Sequence, residues 1–301
     1  MHIRRFIDLS KKSVNAWLDD DASSMGASIA YYTVFSIAPL LVIVIAVAGA
    51  VWGREAVQGE IVGQLTGLVG AEAASTIQKL LQSATLDGGG LIATLLGLGA
   101  LLIGSTSAFV ELQRALDRIW RQPSTVQRKG LWNMLRSRVL SFGLILGLAF
   151  LLIVSLVASA ALAAVGRWTQ SMMPGTQIAL QLLNLTLSLG VTTILFASIY
   201  KLMPTARIAW RDVWTGAAVT AVLFEAGKFL IGMYLGHSSV TSSFGAAGSL
   251  AVLLLWVYYS AQIFLLGAEF TWVYASQHGS LAKRNADRSA AISSGPSVSA
   301  P

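Results

Sequence analysis

Charge is missing from this chain in long blocks, and that pattern limits what it can fold into. No charged residue lies between Asp21 and Arg54, or between Asp87 and Glu111. Four further apolar stretches follow, over about 139–165, 178–200, 213–235 and 245–272. A helix needs around 20 mainly apolar residues to cross about 30 Å of hydrocarbon, and each block is long enough. Only 12% of the 301 residues are charged, against about 25% in a soluble domain. The expectation is an all-α integral membrane protein. Its bundle has six transmembrane helices, at about 29–52, 88–110, 139–165, 178–200, 213–235 and 245–272. Alternating ten-residue strands are not seen, so a β-barrel is not favoured.

The basic residues orient these spans. One side collects Arg4, Arg5, Lys11 and Lys12, then Arg114, Arg118, Arg121, Arg128, Lys129, Arg136 and Arg138. Lys201, Arg207 and Arg211 join them, followed by Lys283, Arg284 and Arg288. The other side holds only Arg54, Lys79 and Arg167. Cytoplasmic loops carry the excess of lysine and arginine, so both termini are expected in the cytoplasm. The same bias accounts for the net charge of +7 without nucleic acid. An odd number of spans would scramble it. The N-terminus lacks the early apolar core of a cleaved signal peptide.

Water-facing segments are short. Residues 1–24 read as a cytoplasmic interfacial helix, with Ile3, Phe6, Ile7, Val14 and Trp17 on its apolar side. Residues 54–87 read as one or two amphipathic helices on the outer face. Phe109, Leu112, Leu116, Ile119 and Trp120 recur at helical spacing opposite Glu111, Arg114, Asp117, Arg118 and Arg121, where Asp117 and Arg121 can pair at i,i+4. Arg114, Arg118 and Arg121 are the candidate contacts for a cytoplasmic partner or anionic lipid. Residues 25–275 form the membrane domain, and 276–301, rich in Ser, Ala, Gly and Pro, are expected to be a disordered cytoplasmic tail.

The strongest anomaly is Glu225 with Lys228, one turn apart inside the fifth span. A charge at mid-bilayer costs about 2.5–3.5 kcal/mol on insertion scales, so an intramembrane ionisable group is a functional candidate by default. The pair is read either as the polar lining of a transport path or as a self-neutralising packing device. Glu269 lies near the cytoplasmic end of the sixth span. Tyr32, Ser36 and Pro39 belong to a polar stretch where proline interrupts a helix. They either line the same interior as Glu225 or mark the start of a helix, where proline costs little. The stretch from His237 to Gly248 reads as a loop followed by close helix packing.

Enzymatic chemistry has little footing. Cysteine is absent, and the three histidines, His2, His237 and His278, are far apart. No HExxH, Walker A or Gly-x-Ser-x-Gly motif occurs. Neither catalysis, a metal nor a cofactor is expected.

Three segments carry a resemblance: Ala27 to Leu41 with Pro39, Tyr200-Lys-Leu-Met-Pro204, and Ser243 to Phe270. Together they resemble the YihY/BrkB family of bacterial inner-membrane proteins over about residues 10–275. The resemblance implies an all-helical six-span fold in that membrane. It makes Pro39, Pro204, Trp256, Tyr258, Gly267 and Glu269 family-type positions. Members once carried the label ribonuclease BN, which is regarded as mistaken. Serum resistance, envelope lipid handling and solute efflux have all been suggested for the family.

Three functions are weighed. The first is a transporter or exporter of a solute or envelope lipid, with Glu225, Lys228, Glu269, Ser36, Pro39 and Tyr32 as polar lining. The second is a non-transporting envelope-assembly or scaffold protein using Arg114, Arg118 and Arg121. Ribonuclease activity is the least favoured. The bilayer is the one partner the sequence names. It leaves substrate, coupling ion and oligomeric state open.

Overall fold

The structure, a computed structural model, describes residues 3–69, 74, 75, 77–79, 106–121, 176–206, 208–237 and 246–282. Every regular element among them is helical. The helices are α1 (Ile3–Asp19), α2 (Ala22–Trp52) and α3 (Arg54–Val69), then α4 over 106–119. The last three are α5 (Thr176–Leu202), α6 (Trp210–His237) and α7 (Ala246–Gln277). Helix α7 is the hub: α1, α2 and α6 pack on it, and α5 packs on α6.

Among the described residues three helical segments are long and apolar enough to cross a membrane: Leu182–Leu202, Trp210–Ile231 and Leu250–Gln277. They coincide with the last three expected spans. Helix α2 contains the first, 29–52, without a break. Span 139–165 and most of 88–110 lie outside the described residues. Ile178, Leu182, Val222, Phe229 and Leu230 stand exposed on α5 and α6. A water-soluble monomer rarely presents so much contiguous apolar surface; against lipid it carries no penalty.

With lipid outside, helices gain little from hydrophobicity and associate through close packing, which favours small residues. Helices α6 and α7 show this in reciprocal form. A Cβ on Gly216 would collide with the Thr271 side chain, and one on Gly267 with Thr220 and the Tyr200 hydroxyl. Each threonine lies one turn beyond its own helix's glycine and donates to that glycine's carbonyl, Thr220 to Gly216 and Thr271 to Gly267, both at 2.7 Å. The hydroxyls are thus satisfied within their helices while their bulk fills the notch opposite. Tyr200 ties in α5: its hydroxyl donates to Phe264 O at 2.7 Å and lies 3.1 Å from Thr220 Oγ1.

Helix α1 docks along the second half of α7. Leu9 and Ala16 are buried against Phe270 and Val273, while Ile7, Val14 and Leu18 remain exposed on its opposite side. The chain then turns through Asp21, whose φ of 54° is left-handed, and enters α2.

Four expectations are modified. Pro39 lies well inside α2 rather than at a helix start, because the helix begins at Ala22; its side chain is outside the described residues. Helix α3 exists in the expected outer segment, but its apolar residues are spread around the helix rather than gathered on one face, so it is not amphipathic. Residues beyond 276 are not all tail, since α7 runs to Gln277 and 280–282 are helical. The fourth concerns Asp117 and is set out with the site below.

Asp212 holds that C-terminal segment. It is buried at the start of α6 and accepts from Ser280 N at 2.9 Å and Ser280 Oγ at 2.7 Å. Asp212→Ala should therefore release residues 278–282, at about 1–2 kcal/mol for a lost charge-accepting cap. Limited proteolysis should show faster cleavage after α7, with the bundle intact.

Candidate functional site

Two polar centres interrupt the apolar interior. The first is built by α6. Glu225 and Lys228 lie one turn apart, so their side chains meet on one face, and Lys228 Nζ sits 2.8 Å from Glu225 Oε2. Ser188 of α5 donates to the other carboxylate oxygen at 3.0 Å, and the ammonium lies 5.7 Å from the Phe224 ring. Glu225 is the more buried partner, 19% exposed against 32% for Lys228. Lys228 also edges a cleft between α6 and α7 lined by Trp256, Tyr259, Ser260 and Ile263, too tight to admit a water molecule. The pair is neutral as a unit, and one hydrogen-bonding edge of it faces another helix.

The second centre lies where the ends of α1 and α4 meet α7. Glu269 is fully buried, and among the described residues neither carboxyl oxygen has a hydrogen-bond donor. The charged groups around it are Asp20 and Asp19 from the end of α1 and Arg121 from the end of α4. Arg121 reaches Asp20 Oδ2 at 3.4 Å and lies over the Trp272 ring at 4.8 Å. Its φ of 50° is left-handed, which turns it out of the α4 wheel and toward Asp20.

That turn overturns the expected Asp117–Arg121 pair. Asp117 instead accepts from Thr205 N at 2.7 Å and Thr205 Oγ1 at 3.0 Å. Burial raises its carboxyl above the ordinary range, and those two hydrogen bonds oppose the shift.

The other sequence candidates divide. Ser36 is buried and, with Thr33 and Ile37 of α2 and Phe109 and Leu112 of α4, lines a mainly apolar cavity of about 180 Å³. Tyr32 is 39% exposed and stacks edge-on with Tyr31. Neither is brought to Glu225. The two centres are also separate: Tyr259 of the cleft and Glu269 are roughly 15 Å apart along α7 at about 1.5 Å per residue. Arg114 pairs with Glu111 at 3.1 Å and stays exposed, as does Arg118. Arg121 is also exposed but reaches Asp20 and the Trp272 ring.

Asp20 and Ser188 were not singled out by the sequence. A signal existed for Asp20. The run Asp19-Asp20-Asp21 stands at the mouth of a span on the side where basic residues collect. Nothing local marked Ser188. Among the described residues no cluster of histidine and acidic side chains is suited to a metal ion.

Comparison with known proteins places this geometry in a lineage. The family model for Virulence factor BrkB matches residues 13–292. A UPF0761 membrane protein of Ralstonia nicotianae is 30% identical over 254 residues, covering 83% of this chain and 55% of the relative. One from Pseudomonas aeruginosa is 26% identical over 275 residues, covering 89% and 62%. Another, from Stenotrophomonas maltophilia, is 28% identical over 271 residues, covering 89% and 61%. The chain thus spans a little over half the length of these relatives. No solved structure matches.

Proposed function

The chain belongs to the Virulence factor BrkB family, and on that footing we propose that it is a bacterial inner-membrane transporter or exporter of a solute or envelope lipid. The carrying observation is the Glu225–Lys228 pair within a membrane-crossing helix, bonded to Ser188 of the neighbouring helix. Ionisable groups inside a span are functional candidates by default, and a transport path needs polar groups that exchange partners near the bilayer middle. In this reading six spans cross the membrane with both termini cytoplasmic, as the lysine and arginine bias requires. This reading requires no catalytic chemistry, metal or cofactor. The test uses vesicles loaded with a bacterial solute and lipid extract, with and without the purified protein, compared by mass spectrometry. A protein-dependent change in one chemical class supports transport, and identical contents count against it.

A second reading, an envelope-assembly scaffold gripping anionic lipid, rests on the exposure of Arg114 and Arg118 on α4. Each basic residue near an anionic surface contributes about 1 kcal/mol. Arg114→Gln with Arg118→Gln should then strip anionic lipid from the purified protein severalfold. Unchanged lipid content removes this reading.

A further inference from the structure

Three contacts fix how α1 lies on α7, and so which of its sides meets the bilayer. Near its start, Phe6 packs on Phe270 with ring centroids 5.9 Å apart. Just past its end, Asp20 reaches Arg121, whose guanidinium lies over Trp272. These two points are about 21 Å apart on α1 but only about 3 Å apart along α7, at about 1.5 Å per residue. Helix α1 therefore crosses α7 steeply. Because α7 runs through the membrane, α1 lies close to the membrane plane. The chain then turns inward as α2, where Ser23 O accepts from Gln262 Nε2 at 3.3 Å. The third contact sets the roll of the helix. Lys12 Nζ donates to Gln277 Oε1 at 3.3 Å, and Gln277 ends the α7 span. The Lys12 side of α1 thus faces out of the membrane.

At about 100° per residue, Ile7 and Val14 stand nearly opposite Lys12, with Leu18 beside them. All three are exposed, Leu18 at 63%. Lys11 and Arg4 fall between this stripe and Lys12, on the side turned away from the buried Leu9, Ser13 and Ala16. Among the described residues neither Arg4 nor Lys11 makes an ion pair, whereas Lys12 is held by Asp8 at 2.8 Å. Going outward, α1 presents an apolar stripe, two uncommitted cations and a paired polar edge. Hydrocarbon, headgroup and water follow in the same order at a leaflet surface. The leaflet beside the end of α7 supplies apolar chains and phosphate oxygens at the height α1 already occupies.

We propose that α1 is a lipid-binding surface. Ile7, Val14 and Leu18 dip into the edge of the hydrocarbon, and Arg4 and Lys11 bind the headgroup phosphates of anionic phospholipid. This stands independently of the transport reading and needs only that α7 crosses the bilayer.

The chain has no cysteine, so one introduced thiol reports on one position. Leu18→Cys, carrying a fluorescent label, is made in the full chain and reconstituted in vesicles of phosphatidylcholine and phosphatidylglycerol. Spin-labelled phosphatidylglycerol should quench the label severalfold more strongly than spin-labelled phosphatidylcholine. That preference should fall to near unity in Arg4→Gln/Lys11→Gln, since each basic residue near an anionic surface gives a roughly fivefold enrichment. Aqueous iodide should reach a label at Asp8→Cys, on the outward edge, and not one at Leu18→Cys. Val14→Cys repeats the measurement should the first variant not fold. Equal quenching by the two lipids, or free access of iodide to Leu18→Cys, overturns the proposal. So does a preference that survives Arg4→Gln/Lys11→Gln; its loss in Arg114→Gln/Arg118→Gln instead would place the lipid at α4. Efficient disulfide dimers through unlabelled Leu18→Cys in dilute vesicles would make the stripe a contact between copies, and overturn it as well.

Discussion

Leucine at position 267 is expected to leave no folded protein. A single Cβ there already overlaps Thr220 and the Tyr200 hydroxyl, and leucine adds three more carbons at the same point. Thr220 cannot swing aside cheaply, because it is wholly buried and its hydroxyl is bonded to Gly216 O. Tyr200 is equally buried and tied to Phe264 O. Overpacking by a methylene or two costs about 1–3 kcal/mol in an interior that can yield; here three helices must part. A total stability of about 5–15 kcal/mol does not survive that. Size-exclusion profiles in detergent should show aggregate in place of a single peak. Gly267→Ala should be milder, lowering the unfolding temperature, and Thr220→Ala in the same chain should recover part of the loss because it vacates the contested volume. That recovery separates a steric lock from a general intolerance of substitution in α7.

The second large effect concerns the α6 pair. Glu225→Gln leaves Lys228 without its carboxylate inside the membrane helix, and Lys228→Met leaves Glu225 with Ser188 alone. Each single variant should both destabilise the protein and stop transport, since removing one partner of a buried pair costs about 3–5 kcal/mol. The partial exposure of Lys228 puts this case at the lower end. The double variant Glu225→Gln/Lys228→Met is different. It keeps the segment neutral and removes both charges together, so it should recover most of the stability the singles lose. If the pair only packs α6, function recovers with stability. If it lines a path, stability recovers and transport stays absent. Thermal unfolding and vesicle flux on all four proteins separate the two outcomes.

Much of the fold was legible because membrane helices announce themselves locally. Mainly apolar runs at 178–200, 213–235 and 245–272 became α5, α6 and α7 with ends displaced by a few residues. Hydrophobic length alone fixes such elements. The pairing of Glu225 with Lys228 was equally local, since i,i+3 spacing brings them together on any helix. What failed to show depended on tertiary contact or on one backbone angle. Helical periodicity put Asp117 beside Arg121, but the left-handed turn at Arg121 ends the wheel one residue early and delivers the guanidinium to Asp20. Glu269 was legible only as a polar residue near a span's end; its full burial depends on tertiary contact, with α1 packed on the neighbouring Phe270 and Val273. The threonines opposite Gly216 and Gly267 carried no mark in the sequence beyond small size and a four-residue step.

The account stands most directly on one flux measurement. Wild-type protein and Glu225→Gln/Lys228→Met are reconstituted at equal density in vesicles loaded with the same bacterial extract, and the retained solutes and lipids are compared with empty vesicles. The account predicts that one chemical class moves with the wild type, while a folded double variant matches the empty vesicles. Movement by the double variant at the wild-type rate would contradict it.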